Sequence, residues 1–176
     1  EELRGLVTPR VADSHKGDFG RVTLVAGSMG KTGAAYLSAM GALRSGAGLV
    51  TVATPKSCLP IVASTEPAFM TMPLPDDDTG CVIADGVERL LDGDQDVVAC
   101  GPGLGRTTSV AEFVRTLLDR ATVPLVLDAD AITVLAEDPG RLTGSEERDV
   151  IITPHPGEMA RLVGSSIADV QANRIE

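Results

Sequence analysis

The strongest constraint on this chain is a series of short, almost wholly apolar runs, each followed at once by a polar or glycine-rich turn. Val22–Ala26, Leu49–Ala53, Val97–Cys100, Leu125–Leu127 and Val150–Ile152 are three to five residues long, and β-branched side chains recur in them. Bounded runs of this length without polar alternation suit strands buried on both faces. Helical patterns separate them, expected over Ala34–Ser45, Lys56–Ser64, Val82–Leu91, Ser109–Arg120, Ala131–Ala136, Met159–Val163 and Ile167–Glu176. Pro55 suits the first position of the second helix, Ser109 the cap of the fourth, and Pro73–Gly80 reads as a loop. Regular strand–helix alternation implies an α/β fold of three layers, αβα, around a mostly parallel sheet. Ligands of such sheets bind beyond the carboxyl ends of the strands, so motifs that follow strands should share one edge.

Composition narrows the class. The 176 residues are 43% hydrophobic and 23% charged, as in a globular domain, while aromatics are only 2%. The core must therefore be built from Ala, Val, Leu and Ile. A net charge of -10 argues against nucleic-acid or anionic-membrane partners, which need a basic face. It does not exclude a small phosphorylated ligand held by backbone amides. Cys58, Cys81 and Cys100 form no metal-ligand or redox spacing, and their odd, dispersed count suits a reducing cytoplasm. Cys100 reads as a buried structural thiol. The chain reads as carrying no signal peptide, and no apolar stretch in it reaches membrane length.

Five motifs could carry chemistry. Gly27–Gly33 contains Gly30-Lys31-Thr32, but the position where a Walker A loop needs its first glycine is Val25. The loop is either a tight turn or a wrap for an anion or ligand ring at a helix start. Gly101-Pro102-Gly103-Leu104-Gly105 follows a strand, yet lies mid-chain rather than in the first βα unit, where a Rossmann fingerprint belongs. Asp128-Ala129-Asp130 offers two carboxylates; Asp130 reads as a helix N-cap, and Asp128 as the ligand or metal candidate. In Pro154-His155-Pro156-Gly157-Glu158, two prolines restrict the backbone around His155. There Glu158 either complements a helix dipole or contacts Mg²⁺ or phosphate through water. In His15–Gly20, Lys16 either reaches a phosphate or belongs to a solvated entry loop.

Taken in order, HKGDFGRVTLVAGS, GAAYLSAMGALRSGAGLVTVATP, GPGLGR, PLVLDADAI and ITPHPGEMARL resemble the ADP/ATP-dependent NAD(P)H-hydrate dehydratase family. The resemblance covers nearly the whole chain and implies a ribokinase-like fold. Residues 1–18 would be an entry segment, and 19–176 the N-terminal part of the dehydratase domain. The implied reaction is nucleotide-dependent dehydration of (6S)-NAD(P)H hydrate to NAD(P)H, by phosphorylation of the added hydroxyl and elimination of phosphate. The implied cofactors are Mg²⁺ and ADP or ATP as co-substrate.

The same resemblance assigns residues. Gly33, Ala34, Ala35, Gly103, Gly105 and His155 would bind substrate. Lys16 and Asp128 would lie near phosphate or nucleotide, with Asp128 also helping to organise Mg²⁺. Glu158 would meet Mg²⁺ through water. Family members continue with a Lys-Gly strand and a Gly-Thr-Gly-Asp motif that carries the likely base in the family. The resemblance therefore implies that the catalytic Asp lies beyond Glu176. It also implies a cytoplasmic homo-oligomer, dimer or tetramer, and in many bacterial members a preceding epimerase domain. The alternatives are a ribokinase-like small-molecule kinase, of thiazole or sugar type, and a non-catalytic nucleotide-binding module.

Overall fold

A computed structural model describes residues 9–143 and 148–174. Residues 1–8 of the expected entry segment, and the last two residues of the expected final helix, lie outside them. The strands are β1 Arg21–Val25, β2 Leu49–Pro55, β3 Met70–Leu74, β4 Val97–Cys100, β5 Leu125–Leu127 and β6 Val150–Ile152. The helices are α1 Thr32–Ser45, α2 Leu59–Ala63, α3 Gly86–Leu91, α4 Thr108–Arg120, α5 Asp130–Leu135, α6 Pro156–Val163 and α7 Ile167–Ala172. Single 3-10 turns occupy Lys16–Phe19 and Pro139–Arg141.

The six strands form one parallel sheet in the order β3-β2-β1-β4-β5-β6. The chain winds outward from β1 to β3, returns to the other side of β1, and winds outward again. The order thus reverses between β1 and β4, which is where open α/β sheets hold ligands. The register makes this edge level. Val25 pairs with Ala53 and Cys100, Cys100 with Leu127, and Leu127 with Ile152. The turns after these strands consequently start at one height.

Two clusters bury the faces of the sheet, as period-two alternation requires. Leu24, Ala26, Val50 and Val52 pack with Ala35 and Ala39 of α1 and Val62 of α2. Val25, Ala53, Val98 and Cys100 pack with Val87 and Leu90 of α3, Phe113, Val114 and Leu117 of α4, and Ile132 and Leu135 of α5. Each fully buried Val, Leu, Ile or Phe contributes ~1.5–3 kcal/mol. Ala35 and Ala39 are the buried positions of α1, and their small side chains let the helix lie close on the sheet.

Several boundaries differ from the sequence reading. β3 falls where no strand was expected, and it holds Pro73. It is an edge strand, where proline is tolerated. Pro55 does not open a helix; it ends β2, paired with Leu74, and α2 starts at Leu59. The helix expected from Val82 starts at Gly86, because Val82 bridges back to Asp76. The cap of α4 is Thr107, not Ser109: the Thr107 hydroxyl accepts from Val110 N–H. α6 begins three residues earlier than expected, at Pro156.

Candidate active-site crevice

At the reversal between β1 and β4, the two glycine-rich turns lock together. Gly27 N–H donates to Pro102 O at 2.9 Å, and Ser28 Oγ donates to Gly103 O at 2.8 Å. Gly103 sits at φ +68°, against Ala34 and the Lys31 carbonyl. A Cβ there would lie 2.7 Å from Ala34 Cβ, so only glycine fits. By contrast, a Cβ on Gly33 would meet nothing within 4 Å, so Gly33 borders open space. Lys31 provides no side-chain cap for α1, and the first turn of that helix carries no acidic residue. Such a helix start favours an anion.

A third turn closes one rim. Met29 N–H donates to Gly80 O at 3.2 Å. The turn is folded around Asp77, whose Oδ1 accepts from Thr79 Oγ1 (2.6 Å), Thr79 N–H (2.9 Å) and Cys81 N–H (3.2 Å). These bonds, the Thr79 hydroxyl first, hold the Asp77 carboxyl down at about 2.

Next to this turn, where Gly105 lies against Cys81, Asp130 organises the end of the β4 turn. Its Oδ2 accepts from Gly105 N–H at 2.9 Å and lies 4.0 Å from Lys31 Nζ; its Oδ1 accepts from Arg106 Nε at 3.0 Å. Its side chain is only 14% exposed. The sequence reading made Asp130 an N-cap. The structure corrects this: Asp130 is the first residue of α5, the cap position is Ala129, and no side chain caps there. Ala129 has φ 51° and ψ −118°, and no other non-glycine among the described residues has positive φ. This strained turn sends the neighbouring carboxylates different ways. Asp130 reaches back to the β4 turn, while Asp128 accepts from Thr153 Oγ1 at 2.9 Å beyond β6.

His155 and Glu158 form a reciprocal capping box at the start of α6. His155 Nδ1 accepts from Gly157 and Glu158 N–H at 3.0 and 3.2 Å, and Glu158 Oε2 accepts from His155 N–H at 3.0 Å. The other carboxylate oxygen lies 3.2 Å from His155 Nε2. An accepting Nδ1 requires the Nε2–H tautomer, which sets Nε2 beside the Glu158 carboxylate. Glu158 is buried at 8% exposure, with Oε2 on His155 N–H and Oε1 beside Nε2.

Gly33, Ala34, Gly103 and Gly105 are therefore brought together at the reversal. Ala35 lies beneath them, wholly buried in the core. Asp128, His155 and Glu158 follow β5 and β6, farther along the same edge. Lys16 is not brought to this group. It precedes β1, and its carbonyl packs against Gly48, just before β2, so it sits at the amino ends of the strands. The sequence reading missed the joint role of Lys31, Gly105, Arg106 and Asp130. The only local signal was the pair Lys31 and Arg106, each beside a glycine turn.

Cys58, Cys81 and Cys100 are all buried and unbridged. Burial pushes the Cys100 thiol up to about 12 and also raises Cys58. A separate cavity of about 570 Å³ lies between α6 and α7, lined by Pro154, Pro156, Met159, Val163 and Asp169 among others. No described helix is long and apolar enough to cross a membrane.

Residues 22–176 match the family model described as NAD(P)H-hydrate dehydratase. The chain belongs to that family. It is 45% identical over 175 residues to a bifunctional NAD(P)H-hydrate repair enzyme of Moorella thermoacetica, covering 98% of this chain and 33% of the relative. An ADP-dependent (S)-NAD(P)H-hydrate dehydratase of Neisseria meningitidis is 38% identical, over 94% of this chain and 53% of the relative. A Bacillus subtilis ADP/ATP-dependent NAD(P)H-hydrate dehydratase, co-crystallised with ATP/Mg²⁺, superposes with a TM-score of 0.76 at 33% identity. That match spans 98% of this chain and 57% of the other. A ribokinase-like superfamily protein of Enterococcus faecalis gives a TM-score of 0.75 at 28% identity, over 92% of this chain and 54% of the other. The chain thus spans a third to somewhat over half of these relatives.

Proposed function

We propose that this chain forms part of an enzyme that dehydrates (6S)-NAD(P)H hydrate to NAD(P)H using ADP or ATP, a nicotinamide cofactor repair reaction. The observation that carries the reading is the interlock of Gly103 with Ala34 at the sheet reversal, in a chain of the dehydratase family. The resulting crevice has glycine walls, an uncapped helix start and open space at Gly33. Residues 19–176 are the N-terminal part of the ribokinase-like domain, and residues 1–18 lead into it. Gly33 and Ala34 shape the nicotinamide end of the site; Ala35, expected there too, is wholly buried against the sheet and supports them from below. Gly103 and Gly105 admit the ribose or pyrophosphate, and His155 borders the substrate.

No group of three or more His, Cys, Asp or Glu gathers for a metal among the described residues, so a divalent cation would be held mainly by its substrates, with Asp128 freer to meet it than Glu158. Asp128 Oδ1 accepts from Thr153, and its other oxygen has no protein donor among the described residues. Both Glu158 oxygens face His155, so its contribution is through water and charge. Bound Mg²⁺ would supply charge neutralisation for phosphoryl transfer.

The protein works in the cytoplasm, as its three unbridged thiols suggest, and as a homo-oligomer. The small-residue helix α1, with Leu37 69% exposed, favours close packing between copies, in a dimer or tetramer. A monomer in light scattering would count against this. A fused epimerase domain would supply the S epimer.

The test is restoration of NADH absorbance from hydrated NADH by the full-length protein, with Mg²⁺ and ADP or ATP. Turnover supports the dehydratase. A stable phosphorylated product on another small alcohol, with no turnover of either hydrate, would favour the kinase.

A further inference from the structure

We propose that Arg106 and Lys31, anchored by Asp130, form a two-cation clamp for a phosphate group of the substrate dinucleotide. The proposal rests on the dehydratase reading for the identity of the ligand, and on the following geometry for the site. Arg106 uses its inner nitrogen, Nε, to bind Asp130 at 3.0 Å. Its terminal Nη1 and Nη2 meet no acceptor among the described residues, and its side chain is 63% exposed. A guanidinium fixed in this way presents a preset fork, the geometry that takes phosphate in two parallel bonds.

Lys31 lies across Gly105: a Cβ on that glycine would stand 3.5 Å from Nζ, and φ there is +92°. The lysine amine lies 4.0 Å from Asp130 Oδ2. Two cations share one largely buried carboxylate, which leaves a local positive charge in a chain of net charge -10. The uncapped start of α1 directly follows Lys31, and the start of α4 lies two residues beyond Arg106. Both positive helix ends therefore adjoin the pair.

Folding alone does not account for this arrangement. The two cations are 51% and 63% exposed, and ion pairs whose cation is that well solvated contribute little to stability. The turn that aims Asp130 at them carries Ala129 at positive φ and leaves α5 without a side-chain cap. Strain retained beside a ligand crevice marks a positioned group rather than a stabilising one.

The phosphate source is either the pyrophosphate, present in both cofactors, or the 2′-phosphate of the NADP form. The experiment titrates the full-length protein with NADPH and with NADH, the reaction products, by nicotinamide fluorescence. It compares wild type with Arg106→Gln, Arg106→Lys and Lys31→Gln, and also measures KM and kcat for both hydrates. The expected result is about tenfold weaker binding and a similarly raised KM in each Gln variant, at unchanged melting temperature and little change in kcat. Arg106→Lys should fall between, because it keeps the charge and loses the fork. Loss with both ligands supports the clamp and assigns the pyrophosphate. Loss with NADPH alone supports it and assigns the 2′-phosphate. Unchanged affinity and KM for both ligands in both Gln variants overturns it. If wild type turns over neither hydrate while the variants still lose NADPH binding, the dehydratase reading falls and the clamp stands.

Discussion

Gly103 and Ala34 face each other across the sheet reversal with no room for another methyl: a Cβ on Gly103 would lie 2.7 Å from that of Ala34. The two turns that wall the crevice are thus fitted to each other at this point. Gly103→Ala must also hold an L-residue at φ +68°. We expect it to cost about 2 kcal/mol of stability, from backbone strain and overpacking together. Urea unfolding of variant and wild type measures this directly. A change below about 0.5 kcal/mol, the ordinary effect of a surface substitution, would contradict the interlock.

Ala129→Gly should act in the opposite direction. Relief of φ 51° outweighs the added freedom of glycine in the unfolded chain, giving a gain of about 1 kcal/mol. The cost should appear in function, because Asp128 and Asp130 lose the turn that separates them. A thermal melt together with KM for hydrated NADH tests both parts.

Glu158 offers a way to separate capping from chemistry. Glu158→Ala removes half of the α6 capping box and should cost about 1 kcal/mol. Glu158→Gln keeps an oxygen for His155 N–H, so the melting temperature should stay close to that of wild type. If the charge of Glu158 serves Mg²⁺, Glu158→Gln should nevertheless lower kcat. Equal kcat in Glu158→Gln and wild type would make this glutamate a cap alone.

Acid stability should carry the signature of Asp77. Its carboxyl is lowered from 3.8 to about 2, first by the Thr79 hydroxyl, so the folded state favours the charged form. Its contribution is present above about pH 4 and is lost as pH falls toward about 2. Asp77→Asn should flatten that part of the unfolding profile. An unchanged acid slope would mean that the Gly80 turn is held by other bonds.

The thiols give a control on the core. Cys100 is pushed up to about 12 by burial, so its thiolate is scarce at neutral pH. A colorimetric thiol reagent should label Cys58 and Cys100 slowly in the native protein, and at once in denaturant. Its raised folded pKa also means that the Cys100 contribution weakens as pH rises from about 9 toward 12.

Much of this was legible in the chain. The runs at 22–26, 97–100, 125–127 and 150–152 are nearly pure apolar, and their strands appear within a residue of the expected bounds. Strands followed directly by glycine or aspartate turns also placed those turns on one edge. What escaped was non-local. β3 carries Pro73 and few β-branched residues, so only its pairing with β2 makes it a strand. Asp130 looked like a cap because Asp before a helix usually is one. Its partners Gly105 and Arg106 lie 25 and 24 residues away, and no local pattern reports them. Lys16 precedes the first strand, and chain position alone gave no sign that it would sit at the far edge of the sheet.

The central claim is that the substrate occupies the crevice at the β1–β4 reversal. Amide hydrogen exchange of the full-length protein, with and without hydrated NADH, tests it most directly. The account predicts added protection at residues 27–35 and 101–106, and none at residues 16–20. Protection confined to 16–20, or absent from both glycine turns at saturating ligand, would contradict it.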